Sequence, residues 1–584
     1  MIKQTNNNYG SYVTRFNRNF YSEKNDFTYI GNGELGGKAK GLAFIKEKIT
    51  SHYKGIKSSP FLVYIPRLTV ITTEFFTIFM KQNNLYDIAL SDSSDERIAH
   101  HFLKAYLPSN LNGELWALIA KVNTPLAVRS SSLLEDSIDS PFAGIYETKM
   151  TPNNQPDIET RFHKLTEAIK FVYASTFFKN AKAYMGTTSF SIRDEKMAVI
   201  IQEVVGLPHN KCYYPDISGV ARSYNFYPFS DTRAEDGVIS LALGLGKSIV
   251  DGGNVWTYSP EHPEVTAPYN STKELLNNTQ LDFWAVNMKP LPEYDPIKET
   301  EYLVKLNLQD AEYDNTLRYI ASTYNYESDR IDIGINSKGP RLINFAPILQ
   351  TNLIPLNQLI KSILKLCEEL FKAKLEIEFA FTINAKKKEL SRFGLLQVRP
   401  IKISNELIEI DESRIIRSSV LAASNNVMGN GTIDFISDIL YIIPKKFELK
   451  NSKKISNEIS NFNQKLQKNK IPYMLIGFGR WGTSDPWLGI PVTWGQIAGT
   501  SVIVESQLPG VSIDLSQGSH FFHNISNLGI PYFSISNNEK FSIDWDWLKQ
   551  QEVIDQGIFV KHIHLNSPLT IIIDGRKRKG VILK

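Results

Sequence analysis

Short β-rich runs alternate with segments of helical spacing from about residue 30 to Ile401, and this interleaving restricts the chain to sheets with helices packed on them. The stretch "GGKAKGLAFIKEKI" opens on glycines and then places Leu42, Phe44, Ile45 and Ile49 at partial helical spacing, so it predicts a loop running into a helix. "FLVYIPRLTVITTEFFTIFM" predicts two strands broken by Pro66, then a helix opening at Thr72, Thr73 and Glu74. Further strands are expected at "LAVRS", "KMAVIIQEVV", "GVISLALGLG", "LEIEFAFTIN" and "FGLLQVRPI", with helices between them such as "PLNQLIKSILKLCEELFKA". The expected class is α+β or α/β. A chain of 584 residues is too long for one ordinary core and predicts about three or four domain-sized units.

The character changes after Ile401. Residues 403–470 include "KNSKKISNEISNFNQKLQKNK", whose Lys, Asn and Ser content predicts a polar linker helix or a mobile connector. Residues 471–584 then predict a compact C-terminal unit. Hydrophobic residues at 42% and charged residues at 22% are close to what soluble globular proteins show, so neither wholesale disorder nor a membrane protein is indicated. No apolar run reaches about eighteen residues and the polar start lacks a secretory core, so a cytoplasmic location is expected. Cys212 and Cys367 stand far apart with no Cys/His cluster, which predicts buried free thiols rather than a disulfide or a zinc site. A net charge of +4 is small for this length, and its two basic concentrations, "RKRK" at 576–579 and the lysines of 451–470, read as a solvated turn and a solvated helix; nucleic-acid binding is the weaker alternative.

Phosphoryl transfer from ATP needs backbone N–H groups and a Lys for the phosphates, Arg to neutralise developing charge, and oxygen ligands for Mg²⁺. No GxxxxGK[ST] loop is present. The candidates lie on separate elements: Lys38 after the Gly36-Gly37 turn, Arg129 in a strand, the loop "EDSIDSPFAGIYET", and Glu378, Gln397 and Arg399 on a late strand pair. Each also has a structural reading. Lys38 can cap a turn, Arg129 can pair with Glu135 or Asp136, and Gln397 and Arg399, two apart, can form one solvated row on a strand.

The order of these pieces adds what none carries alone. "GGKAKGL", "IPRLTVITTEFF", "AVRSSSLLEDSIDSPFAGIYET", "FVYASTFFKNAKAY", "MAVIIQEVVG", "ISGVARS", "LALGLGKSIVDGG", "LEIEFAF" and "LLQVRPI" occur in one sequence, and with them residues 30–402 resemble the ATP-grasp-type nucleotide-binding region of pyruvate phosphate dikinase and phosphoenolpyruvate synthase. The resemblance implies that Lys38 and Arg129 contact ATP phosphates and that the loop containing Gly144 closes over them. It further implies that main-chain groups of Gln202, Glu203 and Val204 meet adenine, that Glu378 and Gln397 hold Mg²⁺, and that Arg399 stands at the terminal phosphates. Two departures stand out. Lys247 follows Gly-Leu-Gly where the family usually has an acidic residue, and Glu376-Ile377-Glu378 replaces the commoner Asp-Ile-Glu. Residues 254–330 carry no family motif and are either substrate-facing or decorative.

"GSHFFHNISNLGIP" at 518–531 resembles the phosphohistidine motif of the swivelling domain in these dikinases, with Ser519 and His520 followed by Leu528-Gly529-Ile530-Pro531 at the family spacing. The ending "LTIIIDGRKRKGVIL" is similar to that domain's closing hairpin. A neutral imidazole nitrogen suits a phosphoryl carrier, and Ser519 is placed to orient the ring. Phe521 and Phe522 replace small residues and would bury it further, and His523 competes for the role in a poorer register. In "GRWGTSDPWLGIPV", Arg480, Asp485 and two tryptophans read either as a ligand surface or, preferably, as structural corners.

Neither the 64 residues after the His motif nor residues 403–495 have room for a pyruvate-binding barrel of about 250 residues, so phosphoenolpyruvate synthesis by this chain alone is not expected. In architecture the order resembles a shortened antibiotic phosphotransferase of the rifampicin type. The expected function is ATP- and Mg²⁺-dependent phosphoryl transfer through His520 to an acceptor the sequence does not name, a small molecule or a protein. The alternatives are an ATP-binding sensor without transfer and an ATP-grasp ligase.

Overall fold

The computed structural model describes residues 13–18, 26–54, 60–133, 135, 144–186, 191–228, 231–265, 272–290, 293–384, 390–401, 403, 410, 417–507, 519–535 and 542–584. Two six-stranded sheets dominate the part before residue 402. The first runs Thr14–Arg15, Phe27–Ile30, Leu68–Ile71, Met197–Glu203, Leu126–Ser132, Thr148–Thr151; the second runs Trp256–Tyr258, Val238–Ala242, Ile217–Arg222, Leu375–Thr382, Ser391–Pro400, Phe61–Tyr64. Pro66, which has no N–H to give a ladder, separates Phe61–Tyr64 from Leu68–Ile71, and the two strands enter different sheets. One short segment thus stitches the sheets together. Helix Gly37–Lys54 packs on Ser391–Pro400 and Phe61–Tyr64, burying Ala39, Leu42, Ile45 and Ile49. Phe44 points outward and meets Phe371 edge-on at 5.0 Å.

Where they are described, residues 254–330 supply Asp282–Asn287 and Leu303–Asn307 to a four-stranded sheet with Cys212–Tyr214 and Leu207–His209, and Ala321–Asn325 to a small three-stranded one. Both cysteines are free; Cys367 is buried, whereas Cys212 is only half-buried, against expectation.

The C-terminal unit is a nine-stranded sheet. Its centre is four parallel strands in sequence order, Asn430–Ile442, Tyr473–Phe478, Thr500–Ser506 and Tyr532–Ile535, flanked by the antiparallel Val560–Asp574 and Lys579–Leu583 hairpin. The expected boundary is therefore corrected. Residues 403–470 are no connector where they are described: Val420–Ser424 and Asn430–Ile442 lie in this same sheet, and Ser452–Lys468 is the helix crossing to Tyr473–Phe478. Its Ile455, Ile459, Phe462 and Leu466 are buried, while the lysines that suggested a linker face outward or pair at the surface, as Lys465 does with Asp555 at 2.6 Å. Among the described residues no helix is long and apolar enough to cross a membrane.

Candidate functional site

A cleft enclosing about 260 Å³ opens between the two six-stranded sheets. Arg129 and Gln202 come from one sheet and Glu378, Gln397 and Arg399 from the other; Lys38, Gly144, Lys247 and His520 complete the walls.

The Lys38 end of the cleft is built by close backbone approach. Gly36 has φ +76°, and a Cβ there would lie 1.7 Å from the Ser131 carbonyl oxygen, so only glycine lets the start of helix Gly37–Lys54 lie against strand Leu126–Ser132. Lys38 then reaches the Glu135 carboxylate at 2.5 Å and donates to Ser130 Oγ at 3.1 Å. Glu135 is thus the partner of Lys38 rather than of Arg129; Asp136, the other partner considered, lies outside the described residues. Arg129 bridges the sheets. It donates to Gln202 Oε1 at 3.2 Å and the Leu396 carbonyl at 3.0 Å through Nη1, and to Gln397 Oε1 at 2.7 Å and Glu378 Oε2 at 3.4 Å through Nη2.

Glu378 and Gln397 stand directly opposite in the antiparallel pair Leu375–Thr382 and Ser391–Pro400. Arg399 is 1% exposed rather than part of a solvated row, donating Nε to Glu376 at 2.6 Å and Nη2 to Glu378 at 2.8 Å. Arg222 completes a buried ion network through Glu376. Burial alone would raise the Glu378 carboxyl, but Arg399, His520 and Arg129 together hold it far below the usual carboxylate range. Glu376 is held down in the same way, burial being outweighed by Arg222 and Arg399.

Gln202 points into the cleft, but the main-chain groups beside it are engaged. Glu203 N–H donates to the Arg67 carbonyl and Val204 N–H to the Pro125 carbonyl, both at 2.9 Å, while the Val204 carbonyl accepts from Tyr213 Oη at 3.3 Å. Lys247 reaches Glu299 at 2.9 Å and Asp251 at 3.1 Å, so the reversed charge is offset by two carboxylates, one from the 254–330 region. Against the desolvation that would lower it, Asp251 and Glu299 raise the Lys247 ammonium above its ordinary value. Glu147, in the same wall, is pushed up to about 7 by burial and by Glu299, with Lys247 opposing. The sequence reading missed Glu147 and Glu299: the first sits in a quoted motif without a flag, and nothing local marks the second.

His520 is the first residue of helix His520–Asn527, whose cap is Ser519: its Oγ accepts from Phe522 N–H at 3.2 Å. Its imidazole enters the cleft, with Nε2 3.8 Å from Glu378 Oε1, and a Cβ on Gly144 would lie 2.3 Å from its Nδ1. The phenylalanines do not bury it. Phe521 turns onto Gly482 and Phe522 packs on Phe226, Tyr227 and the Arg222 guanidinium, leaving the His520 side chain 30% exposed. His523, one turn on, is 1% exposed with Nδ1 3.8 Å from Glu376; burial, with Arg399, lowers it to about 4 although Glu376 opposes. Among the described residues no group of three or more His, Cys, Asp or Glu side chains forms a metal site.

Two sheets enclosing a cleft lined by Lys38, Arg129, Lys247 and Arg399 have the build of a nucleotide-binding protein. The chain belongs to the family described as "Pyruvate phosphate dikinase, AMP/ATP-binding domain", which matches residues 32–418, and it has that family's ATP-binding region. It is also 27% identical over 224 residues to a Bacillus subtilis (strain 168) protein named "Uncharacterized phosphotransferase YvkC". The matched stretch covers 38% of this chain and 23% of that relative, so the chain spans less than a quarter of the curated relative it matches.

Proposed function

We propose that the chain is an ATP-dependent phosphotransferase in which His520 carries the phosphoryl group. The observation that carries this reading is the place of His520: an imidazole contributed by the C-terminal unit stands in the cleft of the ATP-binding region, between Gly144 and Glu378. The phosphotransferase name of the Bacillus relative agrees with it. In the dikinase form of the reaction a lone pair on the His520 imidazole attacks the β-phosphorus, an N–P bond forms, and the bridging bond to the α-phosphoryl group breaks to release AMP. Water then takes the terminal phosphoryl as phosphate, leaving phosphohistidine for an acceptor of small-molecule or protein class. Lys38, Arg129 and Arg399 would oppose the phosphate charge, and Gly144 would present its backbone to it.

The donor set fits Mg²⁺. Glu378 and Gln397 converge their oxygens on the one Arg129 Nη2, and a single carboxylate with an amide oxygen suits an ion that takes its remaining ligands from phosphates and water. When bound, Mg²⁺ would neutralise charge on the polyphosphate.

The test uses ATP labelled separately at the β and γ positions. Acid-labile label from the β position on the wild type, with release of AMP, and none on His520→Ala with ATP binding retained, is the expected result. Label persisting in His520→Ala would sink the carrier role. A second reading, an ATP sensor that performs no transfer, is favoured by the internal pairing of Lys38, Arg129 and Arg399 with Glu135, Gln397, Glu376 and Glu378. ATP binding without label or turnover would select it.

A further inference from the structure

The 479–492 stretch is the one motif the nucleotide site does not absorb, and it is not on the cleft wall. It leaves the carboxyl end of strand Tyr473–Phe478, while helix His520–Asn527 follows the carboxyl end of the neighbouring strand Thr500–Ser506, so both emerge on one edge of the parallel sheet. Trp481 fixes the turn to the sheet: it is 4% exposed, donates Nε1 to the Val504 carbonyl at 3.4 Å, and packs its ring where a Cβ on Gly477 would otherwise stand.

From that anchor the turn reaches in two directions. Toward the ATP-binding region, Arg480 Nη1 donates to the carbonyls of Gly252 and Gly253 at 3.2 and 3.3 Å, Thr483 Oγ1 to the Gly252 carbonyl at 3.2 Å, and Ser484 N–H to the Asp251 carbonyl at 2.8 Å. Asp251 in turn holds Lys247 in the cleft wall. Toward the carrier, Gly482 has φ +72° and a Cβ there would lie 2.1 Å from the ring of Phe521, the residue after His520. One six-residue turn therefore touches both the 251–253 segment that adjoins the cleft wall at Asp251 and the helix start that bears the histidine.

We propose that the 479–484 turn registers the carrier on the nucleotide cleft, with Arg480 and Thr483 as positioning residues that grip the 251–253 carbonyls and so hold His520 at the phosphate end. This rests on the reading of His520 as carrier, and it assigns a role to a surface that touches neither nucleotide nor histidine. A guanidinium suits the grip because its Nη1 amino group holds two N–H donors in one fixed plane toward the adjacent carbonyls, whereas a lysine ammonium rotates freely on a flexible stem.

The experiment compares wild type, Arg480→Ala, Arg480→Lys and Thr483→Val, with Trp487→Ala as a control on the exposed end of the same motif. It measures the rate of acid-labile labelling from β-labelled ATP over a range of ATP concentrations, and amide hydrogen exchange at Ser484 and at 249–253. Loss of hydrogen bonds from a charged donor predicts about a tenfold fall in the saturating labelling rate for Arg480→Ala, with half-saturating ATP shifted by less than about twofold. Exchange at Ser484 should accelerate in step, Arg480→Lys should recover part of both, and Trp487→Ala should match wild type. A labelling rate unchanged in Arg480→Ala, or a loss tracked by an equal loss of ATP affinity, overturns the positioning role. If Arg480→Ala does not fold, unchanged labelling and exchange in Arg480→Lys and Thr483→Val do the same. A wild type that takes no label removes the carrier reading and the transfer role of the turn with it, while exchange at Ser484 still reports whether the grip itself exists.

Discussion

Glu378 has three claimants, Arg129, Arg399 and His520, and one turn along the helix His523 repeats the arrangement with Glu376. The histidines are three apart on a helix and the glutamates two apart on a strand, so both pairs meet across one interface. Burial gives the second pair a measurable titration. His523, lowered to about 4 from an ordinary 6.5, is neutral when folded, and its contribution is lost as pH falls from about 6.5 toward 4. Glu505, buried in the C-terminal sheet beside Tyr532, runs the other way: raised to about 7 by burial, it contributes below about pH 4.5 and is lost as pH rises toward 7. Each spans a few pH units, or about 3 kcal/mol. The opposed slopes partly cancel in the wild type, so difference curves are needed. In urea denaturation from pH 4 to 8, wild type should lose stability relative to His523→Gln on the acid side and relative to Glu505→Gln toward neutrality; a flat difference curve contradicts the corresponding assignment. Lys38, Arg129, Gly144, Gln202, Glu378, Gln397 and Arg399 were legible because each sits in a motif whose order is itself the signal, and the fold brings them to one cleft. Glu299 was not, since its role depends on where a region without motif folds back.

Helix Ser452–Lys468 shows how composition can mask an element. Its sequence is rich in Lys, Asn and Ser, yet Ile455, Ile459, Phe462 and Leu466 recur at three- and four-residue intervals and form a continuous buried stripe. Counting residue types gave a linker; counting intervals gives a core helix. Ile459→Ala should cost about 2–4 kcal/mol, read as a lower urea midpoint at unchanged slope. A fragment of residues 471–584 should lack the cooperative unfolding expected of 417–584, because it omits Asn430–Ile442 from the middle of the sheet. Cooperative unfolding of the shorter fragment would restore the linker. The strands around Pro66 carried a subtler limit. Their existence was plain from β-rich runs and a breaker, but that they join different sheets is a long-range fact no local pattern encodes.

At the scale of the molecule, one apolar cluster crosses the line between the two units. Ala181, Tyr184 and Met185 from the ATP-binding region belong to the same buried cluster as Phe462, Trp494, Ile497 and Phe521 from the C-terminal unit. Gly495 N–H donates to Asn180 Oδ1 at 3.0 Å at that seam, and a Cβ on Gly495 would stand 3.1 Å from Ala183 Cβ, close enough for a disulfide after a shift of a few tenths of an ångström. The pair Ala183→Cys and Gly495→Cys, once oxidised, should take label from ATP at the rate of its reduced form. Loss on oxidation with recovery on reduction would mean that the units must part before the nucleotide can react.

The seam also bears on logistics. In a swinging carrier the cargo travels and the recipients wait; parting these units would expose the shared apolar cluster to water at every round trip. On the carrier reading proposed above, a moored histidine would reverse the traffic, and the recipient would have to visit the donor's own doorway. Such a recipient would then be selected by the width of that doorway, and it would queue behind the departing nucleotide rather than wait at a separate station.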